Sequence, residues 1–151
     1  MQYRFFNSNP VSRLAMCWLA LLVLWGASAS VFAEEVVITQ AKANYQKLSL
    51  ANARAVFSMR VATWPDGAAV HVFVLPDRHA LHANFVRNKL NMFPYQLRRE
   101  WDRQVYSGVG VAPTEVPDAQ TMKMLVAQTP GSIGYIDQGD VDESVQVLQI
   151  Q

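Results

Sequence analysis

The stretch that decides the fold is "TPGSIGYID", residues 129–137, near the C-terminal end of the chain. Pro130 cannot continue a helix, and Gly131 suits the residue just after a helix end because glycine tolerates a positive φ. The apolar residues that follow predict a strand. Gly134 inside that strand would let another backbone or a ligand approach closely. The stretch therefore predicts the end of one helix and the start of one strand.

Working outward, the same signals recur along the chain. Asp118 caps a predicted helix, "AQTMKMLVAQ", just before this stretch, and "SVQVLQI" (144–150) alternates as a final strand after it. Upstream, "EVVIT" (35–39) and "AAVHVFVL" (68–75) predict buried strands. Predicted helices follow Ser49, Asp77 and Pro94, each a residue typical of a helix start. The order β-α-β-α-α-α-β-β predicts a single three-layer α/β domain with a mixed central sheet.

The first 33 residues have the layout of a secretory signal peptide. Arg4 and Arg13 form a basic start, and the apolar run "LAMCWLALLVLWGA" (14–27) precedes the small-residue site "VFA" (31–33). An uncleaved membrane anchor is the alternative, but the run is shorter than the ~20 residues of a spanning helix. The sequence thus predicts a signal peptide at 1–33 and one domain at 34–151, with a second cut after Ala29 as an alternative.

Cysteine and charge narrow the class of protein. The only cysteine, Cys17, lies within the predicted signal peptide, and Met16 before it does not fit a lipoprotein cut. The exported chain would therefore use neither disulfides nor thiol chemistry. Removal of the signal peptide turns the net charge of +1 into about −1. We expect no nucleic-acid partner, and no membrane anchor after cleavage.

No constellation of catalytic residues is found. The sequence lacks a "GxSxG" elbow, a Walker loop and an "HExxH" helix, and the domain lacks a cysteine nucleophile. The acidic residues before the last strand lack calcium-loop spacing. His79 and His82 lie three residues apart, but zinc needs three or four protein ligands and no other His or Cys lies nearby in sequence. We expect a non-enzymatic protein without a cofactor or a metal site.

Three segments carry a resemblance to a known family. They are "LSLANARAVFSMRVATWPDG" (48–67), "VYSGVGVAP" (105–113) and "LVAQTPGSIGYID" (125–137). In this order they resemble the phosphate-type periplasmic solute-binding proteins of ABC transporters. Phe57 and Trp64 match the family pattern "F-x-G-x-x-x-x-W", although Ser58-Met59 stand where the family favours Leu-Gly.

A second motif resembles a short, single-domain, phosphate-binding-like subset of that family. The subset carries "W-x-K/R-x-x-F/Y-x-G", which Trp101, Arg103, Tyr106 and Gly108 match. Full-length members have two lobes that close on an anion, whereas this chain is about the size of one lobe. The resemblance therefore implies the fold of one lobe of a type II periplasmic binding protein.

The resemblance also implies a function. It indicates an exported, periplasmic solute-binding module that binds phosphate or another oxyanion at a helix N-terminus and works with a membrane transporter or envelope protein. The alternative is an accessory or interaction protein that keeps the lobe fold without binding a small ligand. A homodimer that rebuilds the cleft is a third hypothesis.

The resemblance places the anion site at "PDRHALHANF" (76–85), since the family uses Ser and Thr on the helix after the central strand. Arg78 and His79 stand here where relatives carry serine, which exchanges hydroxyl donors for a guanidinium and an imidazole. In the structural alternative, Asp77 caps the helix, Arg78 is solvated and both histidines lie on the surface. The candidate anion-binding residues are Arg78, His79, His82, Arg103 and Tyr135.

Overall fold

The computed structural model describes residues 34–108 and 110–151, so the predicted signal peptide lies outside the described residues. The strands are β1 Glu35–Gln40, β2 Lys47–Leu48, β3 His71–Val74, β4 Thr114–Glu115, β5 Ser132–Asp137 and β6 Val145–Ile150. The helices are α1 Leu50–Phe57, α2 Ala80–Asn88, α3 Pro94–Tyr106 and α4 Ala119–Gln128, with a 3₁₀ turn at Gln138–Asp140. None of these helices combines the length and the hydropathy needed to cross a membrane.

The six strands form one mixed sheet in the order β2-β6-β1-β5-β3-β4. β1 runs antiparallel to both β5 and β6, whereas β3 runs parallel to β5 and to β4. The predicted mixed sheet is confirmed. β2 and β4 were not predicted as strands because each has two residues, too few for a period to show, and each forms by pairing with a strand distant in sequence.

Helices cover both faces of the sheet, and two neighbours on β5 show this. Successive side chains of a strand point to opposite faces. A Cβ on Gly134 would meet Met122 and Val126 of α4, whereas the Tyr135 ring stacks on Phe85 of α2. The predicted three-layer α/β fold is confirmed. The close approach expected at Gly134 exists, and α4 side chains make it rather than a backbone or a ligand.

Local signals placed most helix starts correctly. The Ser49 hydroxyl accepts the Asn52 N–H at 3.1 Å, Pro94 occupies the first turn of α3, and an Asp118 carboxylate oxygen accepts the Thr121 N–H at 2.7 Å. The prediction for Asp77 was wrong. His79 is the N-cap of α2, because the Asp77 carboxylate is held by a side chain from another helix.

The stretch at 129–137 connects α4 to β5 as predicted. The Thr129 N–H closes the helix on the Leu125 carbonyl, and Gly131 has a φ of 72°. Gly131 lies two residues after the C-cap Thr129, one residue later than predicted. Its carbonyl accepts the Trp64 indole N–H at 2.8 Å, so this connection also holds the "TWPDG" turn against the sheet.

Candidate functional site

The N-terminus of α2 is where the resemblance places an anion site. His79 caps the helix by accepting the Leu81 N–H on Nδ1 at 3.2 Å. The N–H groups of Ala80 and His82 make no hydrogen bond within residues 34–108 and 110–151. Two first-turn donors therefore remain at the positive end of the α2 dipole.

A buried hydrogen-bond chain lies directly under this helix end. His82 and Tyr135 are both 0% exposed, and His82 Nδ1 lies 2.5 Å from the Tyr135 hydroxyl oxygen. That oxygen also accepts the Leu75 N–H at 2.8 Å. Since Leu75 donates to the hydroxyl oxygen, the hydroxyl proton is available for Nδ1, and we assign the proton of neutral His82 to Nε2.

Nε2 of His82 is the unusual atom of the site. It is buried and has no hydrogen-bond partner within the described residues. Asp77 Oδ1 lies 3.6 Å away, beyond hydrogen-bond distance. A buried donor without an acceptor costs about 1–3 kcal/mol of stability, so its presence calls for an explanation.

Asp77 is bound by Arg98 rather than by the helix that it precedes. Arg98 Nε and Nη2 donate to the two carboxylate oxygens at 2.9 Å each, a bidentate pair. The guanidinium lies 4.8 Å from the centroid of the Trp101 ring, and Glu115 is 3.7 Å away. The hydrogen bonds with Asp77 raise the pKa of Arg98 above its usual value. A cation and a carboxylate thus sit together beside the α2 N-terminus.

The structure brings four of the five candidate residues to this region and places the fifth elsewhere. Arg78 is exposed and His79 half-buried, both in the β3–α2 connection, while His82 and Tyr135 lie beneath them. Arg103 is exposed, pairs with Glu100, and lines a separate groove of about 650 Å³ with Arg54 and Arg99. The expectation that both histidines lie on the surface was wrong for His82, because the buried Tyr135 hydroxyl provides it with a polar partner.

Sequence reasoning missed Asp77 and Arg98 as a pair. They are separated by 21 residues and lie on different elements, so no local pattern connects them. The sequence indicates only the position of Arg98, because Arg98 and Trp101 lie three residues apart on one face of α3 and can contact each other.

The described residues contain no group of three or more His, Cys, Asp or Glu side chains that could hold a metal ion. His79 and His82 are the pair that the sequence suggested. The N-cap bond and the Tyr135 bond each use the Nδ1 atom of one of these rings.

Burial sets the protonation state of the site. It lowers the pKa of His82 below its usual 6.5, and the nearby Asp77 carboxylate opposes this only in part. Burial also raises the pKa of the Tyr135 hydroxyl well above its usual range. At neutral pH both groups are uncharged, and His82 presents a neutral N–H donor.

This gives a pH-dependent stability. In the unfolded chain His82 is protonated below pH ~6.5, whereas in the folded chain the lowered pKa keeps it neutral to a lower pH. The free energy of unfolding should therefore fall as the pH drops below ~6.5, by at most about 1.4 kcal/mol per pH unit, until the folded-state pKa is reached. Urea titrations at about pH 7.5 and about pH 5.5 measure it. His82→Phe should lose this pH dependence of the free energy of unfolding. The control is His71→Phe, at an exposed histidine, and it should keep the dependence. Equal pH dependences in the two variants would contradict the assignment of the effect to His82.

Comparison with known proteins identifies the fold. No protein-family model and no curated protein matches the sequence. Solved structures do. A protein from Clostridium perfringens, described as a phosphate ABC transporter substrate-binding protein with bound phosphate, matches with a TM-score of 0.63 at 18% identity. The chain has the fold of one lobe of a periplasmic binding protein.

Two further solved structures match the fold of this chain. An ABC-type phosphate transport receptor from Vibrio cholerae matches with a TM-score of 0.57 at 14% identity, and PstS from Borrelia burgdorferi with 0.57 at 13%. The matches cover 77–78% of this chain but only 44–47% of the three structures. The matched part of the chain therefore spans less than half the length of the binding proteins it resembles, and identities this low show a shared fold alone.

Proposed function

We propose that this chain is an exported, non-catalytic binding module that takes phosphate or another small oxyanion at the N-terminus of α2. One observation carries the proposal. His82 Nε2 is a buried donor without a partner within the described residues, and it lies beside a helix end with two unused backbone N–H groups. Hydrogen-bond donors near a helix N-terminus favour an anion.

The charges around this point support an anion. Arg78 is exposed and forms no ion pair within the described residues, and Arg98 lies beside the loop that leads into α2. A guanidinium can make two charge-assisted hydrogen bonds to a phosphate or carboxylate. The solved structures of similar fold include one with bound phosphate, which makes phosphate the first ligand to test.

The length of the chain sets the expected affinity. The match covers only 44–47% of the three solved structures, so a single lobe would hold the anion on one side only. We propose weak binding, detectable at millimolar phosphate, in the periplasm and in company with a membrane transporter. Calorimetry of residues 34–151 with phosphate and with sulfate tests this. The absence of both heat and a thermal shift at millimolar anion would rule out the ligand-binding function.

Arg78→Ala should weaken phosphate binding by about 1.5–3 kcal/mol, because it removes a charge-assisted hydrogen bond at the site. The matched control is Arg87→Ala, which removes an exposed arginine from the last turn of the same helix. The dissociation constant from calorimetry should change for the first variant and stay within about twofold for the second. Equal constants for Arg78→Ala and the unmodified chain would move the site away from Arg78.

The second candidate function is an accessory or interaction protein. Two observations favour it: the Asp77 carboxylate lies where it repels an incoming anion, and Tyr106 and Val111 are 88% and 72% exposed. Large exposed apolar side chains mark many protein interfaces. Crosslinking in the native envelope tests this function, and recovery of a free monomer that also binds phosphate would count against it. The homodimer stays a prediction that sedimentation can test.

A further inference from the structure

The ion pair of Asp77 and Arg98 has a geometry that an oxyanion could take over. Both carboxylate oxygens accept one hydrogen bond from the guanidinium, at 2.9 Å each, which is also how a guanidinium binds a phosphate. The side chains are 44% and 40% exposed, so solvent and small solutes reach the pair. Its bidentate geometry strengthens the pair, and its exposure allows a dissolved oxyanion to compete for the guanidinium.

Arg98 is held in place by contacts that do not involve Asp77. Its guanidinium lies over the Trp101 ring at 4.8 Å, and Trp101 is 2% exposed. The Trp101 indole N–H donates to the Phe57 carbonyl at 2.7 Å, which anchors the ring. Arg98 would therefore keep its position if Asp77 left it.

Asp77 also lies beside the buried donor. Its Oδ1 atom is 3.6 Å from His82 Nε2 and forms no hydrogen bond with it. The other charged or titratable groups around His82 are His79 on its own helix, Arg98 on α3 and Tyr135 on β5. An anion that replaced the carboxylate on Arg98 would lie next to Nε2, since the carboxylate already does.

We propose that Arg98, together with Arg78, binds the oxyanion, and that Asp77 is an internal carboxylate that occupies Arg98 until the anion displaces it. This inference rests on the proposed function and describes how Asp77 regulates that same site. Asp77 weakens binding in two ways: its ion pair must break, and its charge repels the anion. The ligand class is a small oxyanion with two oxygens free to meet one guanidinium.

The test is calorimetry with inorganic phosphate on residues 34–151. Asp77→Asn should tighten phosphate binding by about tenfold or more, because it removes both the competitor and the like charge. The control is Glu115→Gln, which removes another carboxylate near Arg98, 3.7 Å away, without breaking a hydrogen bond. It should change affinity by about twofold or less.

A double variant separates displacement from a simple change of charge. If Arg98 binds the anion, Asp77→Asn combined with Arg98→Gln should lose the whole gain. A gain that survives in the double variant, or an equal gain in Glu115→Gln, overturns the inference. Wild-type binding that Asp77→Asn leaves unchanged overturns it while the proposed function stands; no binding by any variant overturns both. Binding by Asp77→Asn without binding by the unmodified chain would mean that phosphate does not displace Asp77, and it would overturn both.

Discussion

Gly131→Ala is expected to destabilise the domain by about 4 kcal/mol or more. Gly131 has a φ of 72°, and a Cβ added there would lie 2.2 Å from the Ala69 carbonyl oxygen. That oxygen belongs to backbone that pairs with Thr63 and precedes β3, so it cannot rotate away as a side chain would. Relief would require moving the "TWPDG" turn off the α4–β5 connection, which breaks the bond from Trp64 to the Gly131 carbonyl.

Gly67→Ala is the matched control. Gly67 also has a positive φ, 88°, but a Cβ there would meet nothing within 4 Å. Its cost should be the backbone strain alone, about 1–2 kcal/mol. Urea denaturation of both variants gives the two free energies of unfolding. Similar losses at the two sites would mean that positive φ, rather than the contact with Ala69, is what the domain requires at 131.

Tyr135→Phe is expected to cost about 3 kcal/mol. The ring would still stack on Phe85, at 3.9 Å between centroids, so the loss comes from the hydroxyl alone. Without it the Leu75 N–H and His82 Nδ1 lose their partner inside the protein. Each buried polar group without a partner carries a desolvation penalty of about 1–3 kcal/mol.

Tyr106→Phe removes the same atom from an 88% exposed residue and should change the free energy of unfolding by less than about 0.5 kcal/mol. Adding His82→Phe to Tyr135→Phe should recover part of the loss, because it removes one of the two groups left without a partner. If Tyr135→Phe were as stable as the parent chain, the buried hydrogen-bond chain would not be what stabilises this region.

The fold was predictable because its main signals are local or periodic. The apolar strands, the caps at Ser49 and Asp118, and Pro94 at the start of α3 each act within a few residues. The strand predicted at 68–75 is shorter in the structure, His71–Val74. Ala69 pairs with Thr63 instead, and the Leu75 N–H donates to the Tyr135 hydroxyl. The motif resemblance pointed to the binding-protein fold that the solved structures show.

Only the position of the candidate site in the chain was predictable from the sequence. The segment 76–85 does contain a helix start with Arg78 and His79 beside it. The burial of His82, the capping by His79 in place of Asp77, and the separate position of Arg103 all depend on which elements pack together. These points could not be derived from residue type or spacing.

The sequence by itself determined the α/β class, the helix starts at Ser49, Pro94 and Asp118, and the helix-to-strand connection at 129–137. These features depend on hydrogen bonds and dihedral preferences that span four residues or fewer. The tertiary structure alone decided that His82 meets Tyr135, 53 residues away, and that Asp77 meets Arg98, 21 residues away. Side chains that far apart come together only when the sheet and its helices pack, and such long-range pairing leaves no local pattern in the sequence.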